Sequence, residues 1–163
     1  MGRKDTGKNF ENEIRKSLKS SRHIWWFRIQ DTNDINRFVK VAVAEKQPAD
    51  FFTVYRSRPI MLEAKTSRNL TSFPLHYGNT PAIAKHQITE GAKLERAGGL
   101  SFILIRREEY SNKKTYAITQ SQAKYLYSKA FKRKSVKWSW FDEHAYIVDR
   151  LKSPLRWNLQ KLY

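Results

Sequence analysis

The chain has 163 residues, 40% of them hydrophobic, which is enough for one domain with a real core. Its 32 Lys and Arg against 15 Asp and Glu give a formal charge of +17. That excess points to a polyanionic partner, most simply nucleic acid, with an anionic membrane surface as the alternative. No apolar run reaches the ~18 residues of a membrane span, no signal peptide is visible, and the absence of cysteine excludes disulfides and zinc–thiolate sites. A protein that does not enter a membrane is expected.

Thr6 suits the start of a helix running to about residue 19 or 20. Phe10, Ile14 and Leu18 recur at i, i+4 and i+8 and form its apolar stripe. Glu11 borders that stripe and Glu13 is turned further toward solvent, so Glu11 is the acid expected to reach an internal site. A glutamate stabilised by the helix dipole is the alternative. Residues 23–29 (HIWWFRI) read as a bulky, largely buried strand. A polar, turn-prone run over 30–36 follows. Residues 37–44 (RFVKVAVA) then read as a strand or extended arm, whose Arg37, Phe38 and Lys40 can meet DNA or guard a sheet edge with charge.

Residues 51–56 and 60–65 are β-rich and flank Ser57-Arg58-Pro59, which reads as a hairpin turn. Asp50 opens the first strand. Glu63 and Lys65, two apart on the second, share a face with Met61, while Ile60, Leu62 and Ala64 face the other way. An acid and a lysine on one face of an otherwise apolar strand are costly to bury unless they are paired or used by metal or substrate. Across the hairpin Asp50 can approach Glu63. Two carboxylates side by side repel unless a cation lies between them, as in a hard-oxygen Mg²⁺ site. A surface ion-pair ladder has the same E-x-K spacing, so the hairpin alone leaves both readings open.

Arg68 to Asn79 reads as a loop, with Phe73 and Tyr77 interleaved among polar residues in a way that suits phosphate and sugar contact. Thr80-Pro81 predicts the start of a helix running to about residue 97 and stopped by Gly98-Gly99. Ile83, Gln87, Gly91 and Leu94 share one stripe, which turns the polar Gln87 inward. Lys85 near its start joins Arg68 among the candidate DNA contacts. Residues 100–105 (LSFILI) suit a sheet centre. Residues 116–118 form another strand, and 121–131 a helix with Ala123, Leu126, Tyr127 and Ala130 facing in. Lys132-Arg133-Lys134, followed by Trp138, Trp140 and Phe141, interleaves cations with aromatics, a nucleic-acid pattern, although such aromatics equally close a core or a dimer seam.

The element order describes a single α/β domain over residues 1–163, with a mixed central β-sheet flanked by helices. There is no phosphate-binding glycine loop, no ligand spacing among His23, His76, His86 and His144, and no nucleophile elbow. Carboxylates, a lysine and a strong cationic field remain, the ingredients of metal-dependent phosphodiester cleavage.

Asp50, Glu63 and Lys65, with Glu11 on a preceding helix, resemble the PD-(D/E)xK nuclease superfamily. The order of Gln47-Pro48, Glu63-Ala64-Lys65, Leu70-Thr71-Ser72-Phe73-Pro74-Leu75, His86-Gln87-Ile88 and Gly98-Gly99 is similar to that in RecU-type Holliday junction resolvases. Arg133-Lys134-Ser135-Val136 and Ala145-Tyr146-Ile147 resemble that family's C-terminal segment. The shortened stretch 30–45 is closer to compact archaeal and viral resolvases. The resemblance implies a restriction-endonuclease-like core and a structure-selective endonuclease acting on four-way DNA junctions. It implies metal binding by Asp50, Glu63 and Gln87, with Mg²⁺ as the ion and Mn²⁺ as a substitute. Lys65 becomes the transition-state or water-orienting group, and Glu11 matches the glutamate of the family's first helix. A homodimer is implied, with 30–45 as a stalk at the junction centre, in a bacterial cytoplasm or that of a virus's host. Pro48-Ala49 stand where the family usually has threonines. The competing expectations are another nuclease of the same superfamily, of restriction or repair type, and a non-catalytic basic DNA- or RNA-binding protein.

Overall fold

The computed structural model describes residues 6–29, 47–108, 113–151 and 156–162. Arg37, Phe38, Lys40 and the whole 30–45 stretch lie outside the described residues. In chain order the elements are α1 (Thr6–Lys19), β1 (Trp25–Arg28), β2 (Phe51–Tyr55), β3 (Arg58–Ser67), β4 (Ser72–Pro74), β5 (His76–Tyr77), β6 (Thr80–Pro81) and α2 (Lys85–Arg96). Then come β7 (Leu100–Arg107), β8 (Lys114–Thr119), α3 (Gln120–Ala130), β9 (Ser135–Lys137), α4 (Trp138–His144), β10 (Tyr146–Val148), β11 (Arg150–Leu151), β12 (Arg156–Trp157) and a 3₁₀ turn (Leu159–Leu162).

Six strands form one mixed sheet in the order β1-β2-β3-β7-β8-β10. Only β3 and β7 run parallel, and the chain between them crosses over through α2, as a parallel pair requires. The expected α/β architecture is therefore present. On one face, Leu62, Phe102 and Leu104 pack with the α1 stripe of Phe10, Ile14 and Leu18 and with Trp157 and Leu159. On the other, Ile103 and Ile105 pack with Phe73, Leu75, Leu126, Trp138 and Phe141 beneath α3 and α4. The apolar run of β7 is buried from both sides, which is why it lacks alternation.

Several local expectations change. The hairpin turn is Arg56-Ser57, with φ of 47° and 63°, and Arg58 and Pro59 already belong to β3. A two-residue hairpin loop needs positive φ at both central positions to match strand twist, here without the usual Asn-Gly signal. Pro59 is tolerated in the strand because it sits ahead of the first β3–β7 pair, Ile60 with Leu100. The Arg68–Asn79 stretch contains two short strands, β4 and β5, rather than a loop. Ser72–Pro74 pairs with Ser135–Lys137, a partner too distant in sequence for local periodicity to reveal. Phe73, expected to face phosphates, is fully buried. Thr80-Pro81 pairs with His76-Tyr77, and α2 begins only at Lys85.

Residues 23–29 are only partly buried, with Ile24 enclosed and Trp26 packed against the first core. Trp25 and Phe27 are 60% and 56% exposed, because β1 is the sheet edge and α2 packs over β3 and β7. Trp138 and Phe141 close the second core, while Trp140 stacks on Tyr125 and His144. Glu13 does not face solvent. Its carboxylate meets the fully buried Arg106 at 2.6 Å and the Trp157 indole N–H at 3.1 Å. Arg106 also binds Glu108 and lies over the Phe10 ring. A buried guanidinium needs these acids, and the requirement outweighs the helix-face preference of Glu13.

Gly91 lets α2 lie close to its neighbours. A Cβ there would come within 2.4 Å of Gln120 Oε1 and 2.6 Å of Ser101 Oγ. Gly91→Ala is expected to destabilise the fold by about 1–3 kcal/mol through overpacking, despite the ~1 kcal/mol gain in helix propensity. Urea denaturation measures it, and an unchanged or raised midpoint would refute this packing constraint.

Candidate active site

The site is built where β2 stops. Its last pair on β3 is Phe51 with Leu62, so the next step of that register sets Asp50 opposite Glu63. This is a non-hydrogen-bonded position, where facing side chains come closest. Phe51 and Leu62 point into the α1 core, which turns Asp50, Glu63 and Lys65 to the opposite face. Beyond Leu62 the β2 side of β3 has no strand partner among the described residues. Asp50 Oδ2 fills part of that gap by accepting the Ala64 N–H at 2.7 Å.

Glu63 is buried, and its Oε1 accepts from two donors, Lys65 Nζ at 2.8 Å and Gln87 Nε2 at 2.5 Å. The E-x-K pair and the inward Gln87 thus meet as the strand parity and helix stripe predict. Gln87 also caps its helix, with Oε1 accepting the Ala84 N–H at 2.9 Å. Glu11 accepts from Arg28 at 2.6 Å. It lies near enough to Glu63 for its negative charge to raise that group's proton affinity.

Acid outweighs base here. Burial, then the facing Glu63 charge, push the Asp50 carboxyl up to about 7, against the pull of the Ala64 N–H, Lys65 and Arg28. Burial likewise raises Glu63, opposed by the Lys65 ammonium and the Gln87 hydrogen bond. Two carboxylates held in this way accept a hard cation readily, because it removes both desolvation and mutual repulsion. Among the described residues no three His, Asp or Glu side chains gather as a metal cluster.

Arg68 is exposed just past the end of β3, and Lys85 opens α2 at the rim of a cavity of about 450 Å³ lined by Thr80, Pro81, His86, Thr89 and Tyr127. Lys132, Arg133 and Lys134 are exposed, and the Lys134 carbonyl accepts the Leu75 N–H at 2.9 Å. Pairing of β4 with β9 therefore joins the segment after β3 to the basic tail, two stretches that sequence reading treats separately. Two residues, Arg28 and Lys137, escaped that reading, and Tyr77, named there for phosphate and sugar contact, has a bond it did not foresee. Arg28 pairs with Glu11, exposed Lys137 stands opposite Ser72, and the Tyr77 hydroxyl donates to the Thr66 carbonyl at 3.0 Å. For Arg28 a signal existed, its alternation with Trp25 and Phe27; the other two depend on distant pairings.

The family model described as Recombination protein U matches residues 6–159. The Holliday junction resolvase RecU of Bacillus pumilus (strain SAFR-032) is 36% identical over 61 residues. That match covers 37% of this chain and only 27% of the relative. The solved structure of Hjc, a Holliday junction resolvase from Archaeoglobus fulgidus, superposes with a TM-score of 0.45 at 10% identity, over 86% of this chain and 91% of that one.

Asp50 binds its proton more tightly in the folded chain, near 7, than at its ordinary value of 3.8. Between those values the native state holds the extra proton, so stability falls as pH rises and is lost above the folded value. In chelator, wild-type unfolding free energy is expected to fall across that window by at most roughly 1.4 kcal/mol per pH unit from this group. Asp50→Asn should flatten the decline. An identical slope in the variant would show that Asp50 is not the responsible group.

Proposed function

The chain belongs to the Recombination protein U family, and we propose that it is a structure-selective endonuclease that resolves four-way DNA junctions by paired, metal-dependent nicks of opposed strands. The observation that carries this reading is the buried Asp50–Glu63 pair with Lys65 bound to Glu63, on a chain of charge +17. A purely DNA-binding surface has no use for two opposed carboxylates that cost stability.

The donor set suits Mg²⁺, with Mn²⁺ as a substitute, since every candidate ligand is an oxygen. Asp50 and Glu63 would hold the ion. Gln87 would be the third ligand through an amide oxygen that keeps a lone pair beside its Ala84 bond. When bound, the ion supplies an acidified water and positive charge toward the phosphate oxygens. Lys65 holds a fixed ammonium beside that place, where charge grows on the phosphate in the transition state, and it can orient the attacking water. Gln87 and Lys65 restrain the Glu63 carboxylate, and Glu11 is held by Arg28 at the border of the site.

Affinity comes from the exposed cations, Arg68, Lys85, Lys132, Arg133 and Lys134, by displacing counterions from phosphate. A four-way junction has two equivalent opposed strands, which a two-fold homodimer serves with one site each. The uncovered sheet face bearing Trp25 and Phe27 offers apolar area for the second copy. In this reading residues 1–163 form one nuclease domain, 30–45 bridge toward the junction centre, and the protein works in the cytoplasm. Among the described residues no helix is long and apolar enough to cross a membrane.

The test is nicking of a synthetic four-way junction beside a linear duplex of matched sequence, with and without Mg²⁺. Junction-selective, Mg²⁺-dependent cleavage is expected. Asp50→Ala and Glu63→Ala should abolish it while leaving junction binding nearly intact; nicking within about tenfold of wild type in either would sink the assignment. Lys65→Ala should lower single-turnover cleavage at saturating Mg²⁺ by about 10²–10³, with metal affinity little changed. An unaltered cleavage rate would remove Lys65 from the chemistry.

A further inference from the structure

Even-numbered residues of β3 direct their backbone groups toward the side vacated by β2, as the Asp50 bond to the Ala64 N–H shows. Two residues on, the Thr66 carbonyl points to the same side and accepts the Tyr77 hydroxyl at 3.0 Å. Residues two apart on a strand are separated by about 6.6 Å, so the phenol oxygen is held roughly that far along β3 from the Asp50 carboxylate. The β5–β6 hairpin keeps it there. Tyr77 pairs with Thr80 across a two-residue turn whose Gly78 takes φ +62°. The phenol is pushed up by burial, so it remains a donor to the carbonyl.

The hydroxyl is engaged, yet Tyr77 is 49% exposed. Its neighbour Phe73 is fully enclosed in the second core. The segment therefore gives one aromatic to the interior and leaves the other's ring to solvent beside the carboxylates, with its orientation fixed by a hydrogen bond. A phosphate gains little from an aromatic face, whereas a nucleobase stacks on it whatever its sequence.

We propose that Tyr77 is a stacking platform for an unstacked base next to the phosphate that is cut, and so a residue that selects branched over linear DNA. In an intact duplex each base is stacked on both sides. A base becomes free where the stack is interrupted, as at a branch point. This inference rests on the nuclease reading above.

The experiment places 5-iododeoxyuridine at each position flanking the branch of a four-way junction and maps photocrosslinks to the full-length protein, alongside single-turnover nicking. Wild type should crosslink through Tyr77 from one of these positions. Tyr77→Leu should lose that crosslink and cleave the junction roughly tenfold or more slowly, with linear-duplex binding unchanged. Tyr77→Phe, which keeps the ring, should stay within about threefold of wild type. A wild type that nicks junctions but never crosslinks at Tyr77 would overturn the proposal, as would a Leu variant that cleaves like wild type. A Phe variant that fails as badly as Leu would also overturn it, by assigning the effect to the hydroxyl bond. If wild type binds and nicks no junction at all, the nuclease reading itself falls, and this inference with it.

Discussion

The register of β2 on β3 is the constraint on which the site depends. β2 ends opposite Leu62 while β3 runs on to Ser67. Were β2 longer, its main chain would take the Ala64 N–H, and Asp50 would lose the bond that holds its carboxylate beside Glu63. Among the described residues the shortfall leaves that flank of β3 without a strand beside it. Side chains satisfy it instead of backbone, Asp50 at Ala64 and Tyr77 at Thr66. Since buried backbone groups must find partners, each such substitution fixes a side chain firmly in place. β7 supports the opposite side of the same strand through a continuous parallel ladder, so the carboxylates stand on a rigid element.

Two ionic groups on opposite faces of the sheet differ in their balance. Around Arg106 the cation is enclosed between Glu13 and Glu108, and Lys113 also reaches Glu13, so two cations meet two acids. That network ties α1 to β7 and also holds the Trp157 indole through Glu13. Around Asp50 the acids predominate, with Lys65 bound to one of them and Arg28 engaged by Glu11. Burial first, and then the neighbouring acids, raise the proton affinity of both Asp50 and Glu63. A balanced buried network suits a structural role; an unbalanced one beside a cationic surface suits a cation and a phosphodiester.

The exposed cationic surface is likewise a product of pairing. β4 and β9 come from segments far apart in the chain, and their ladder brings the residues after β3 beside Lys132–Lys137. The bonds from the Trp138 indole to the Asn69 carbonyl and from Arg107 to the Leu70 carbonyl hold the intervening turn. Those aromatic and basic side chains therefore serve the fold, while Lys132, Lys134 and Lys137 around them stay exposed.

Periodicity alone determined a good deal. The stripe of Phe10, Ile14 and Leu18, the shared face of Glu63 and Lys65, the inward lean of Gln87 and the buried run of β7 all follow from spacings of 3.6 and 2, which each chain segment carries within itself. What failed was whatever depends on a partner elsewhere in the chain. Glu13 turns inward because Arg106 needs an acid. Phe73 is buried because β9 and α4 close over it. Thr80-Pro81 extends rather than coils because His76-Tyr77 pairs with it. Trp25 and Phe27 stay exposed because α1 packs on the other face of β1, where Trp26 meets its core, while α2 lies over β3 and β7. Residue types and periods set which faces are apolar and which groups are charged. Which face meets which, and hence which charges stand together, is decided only when the strands pair, because long-range ladders and buried ions obey contacts that no local pattern records.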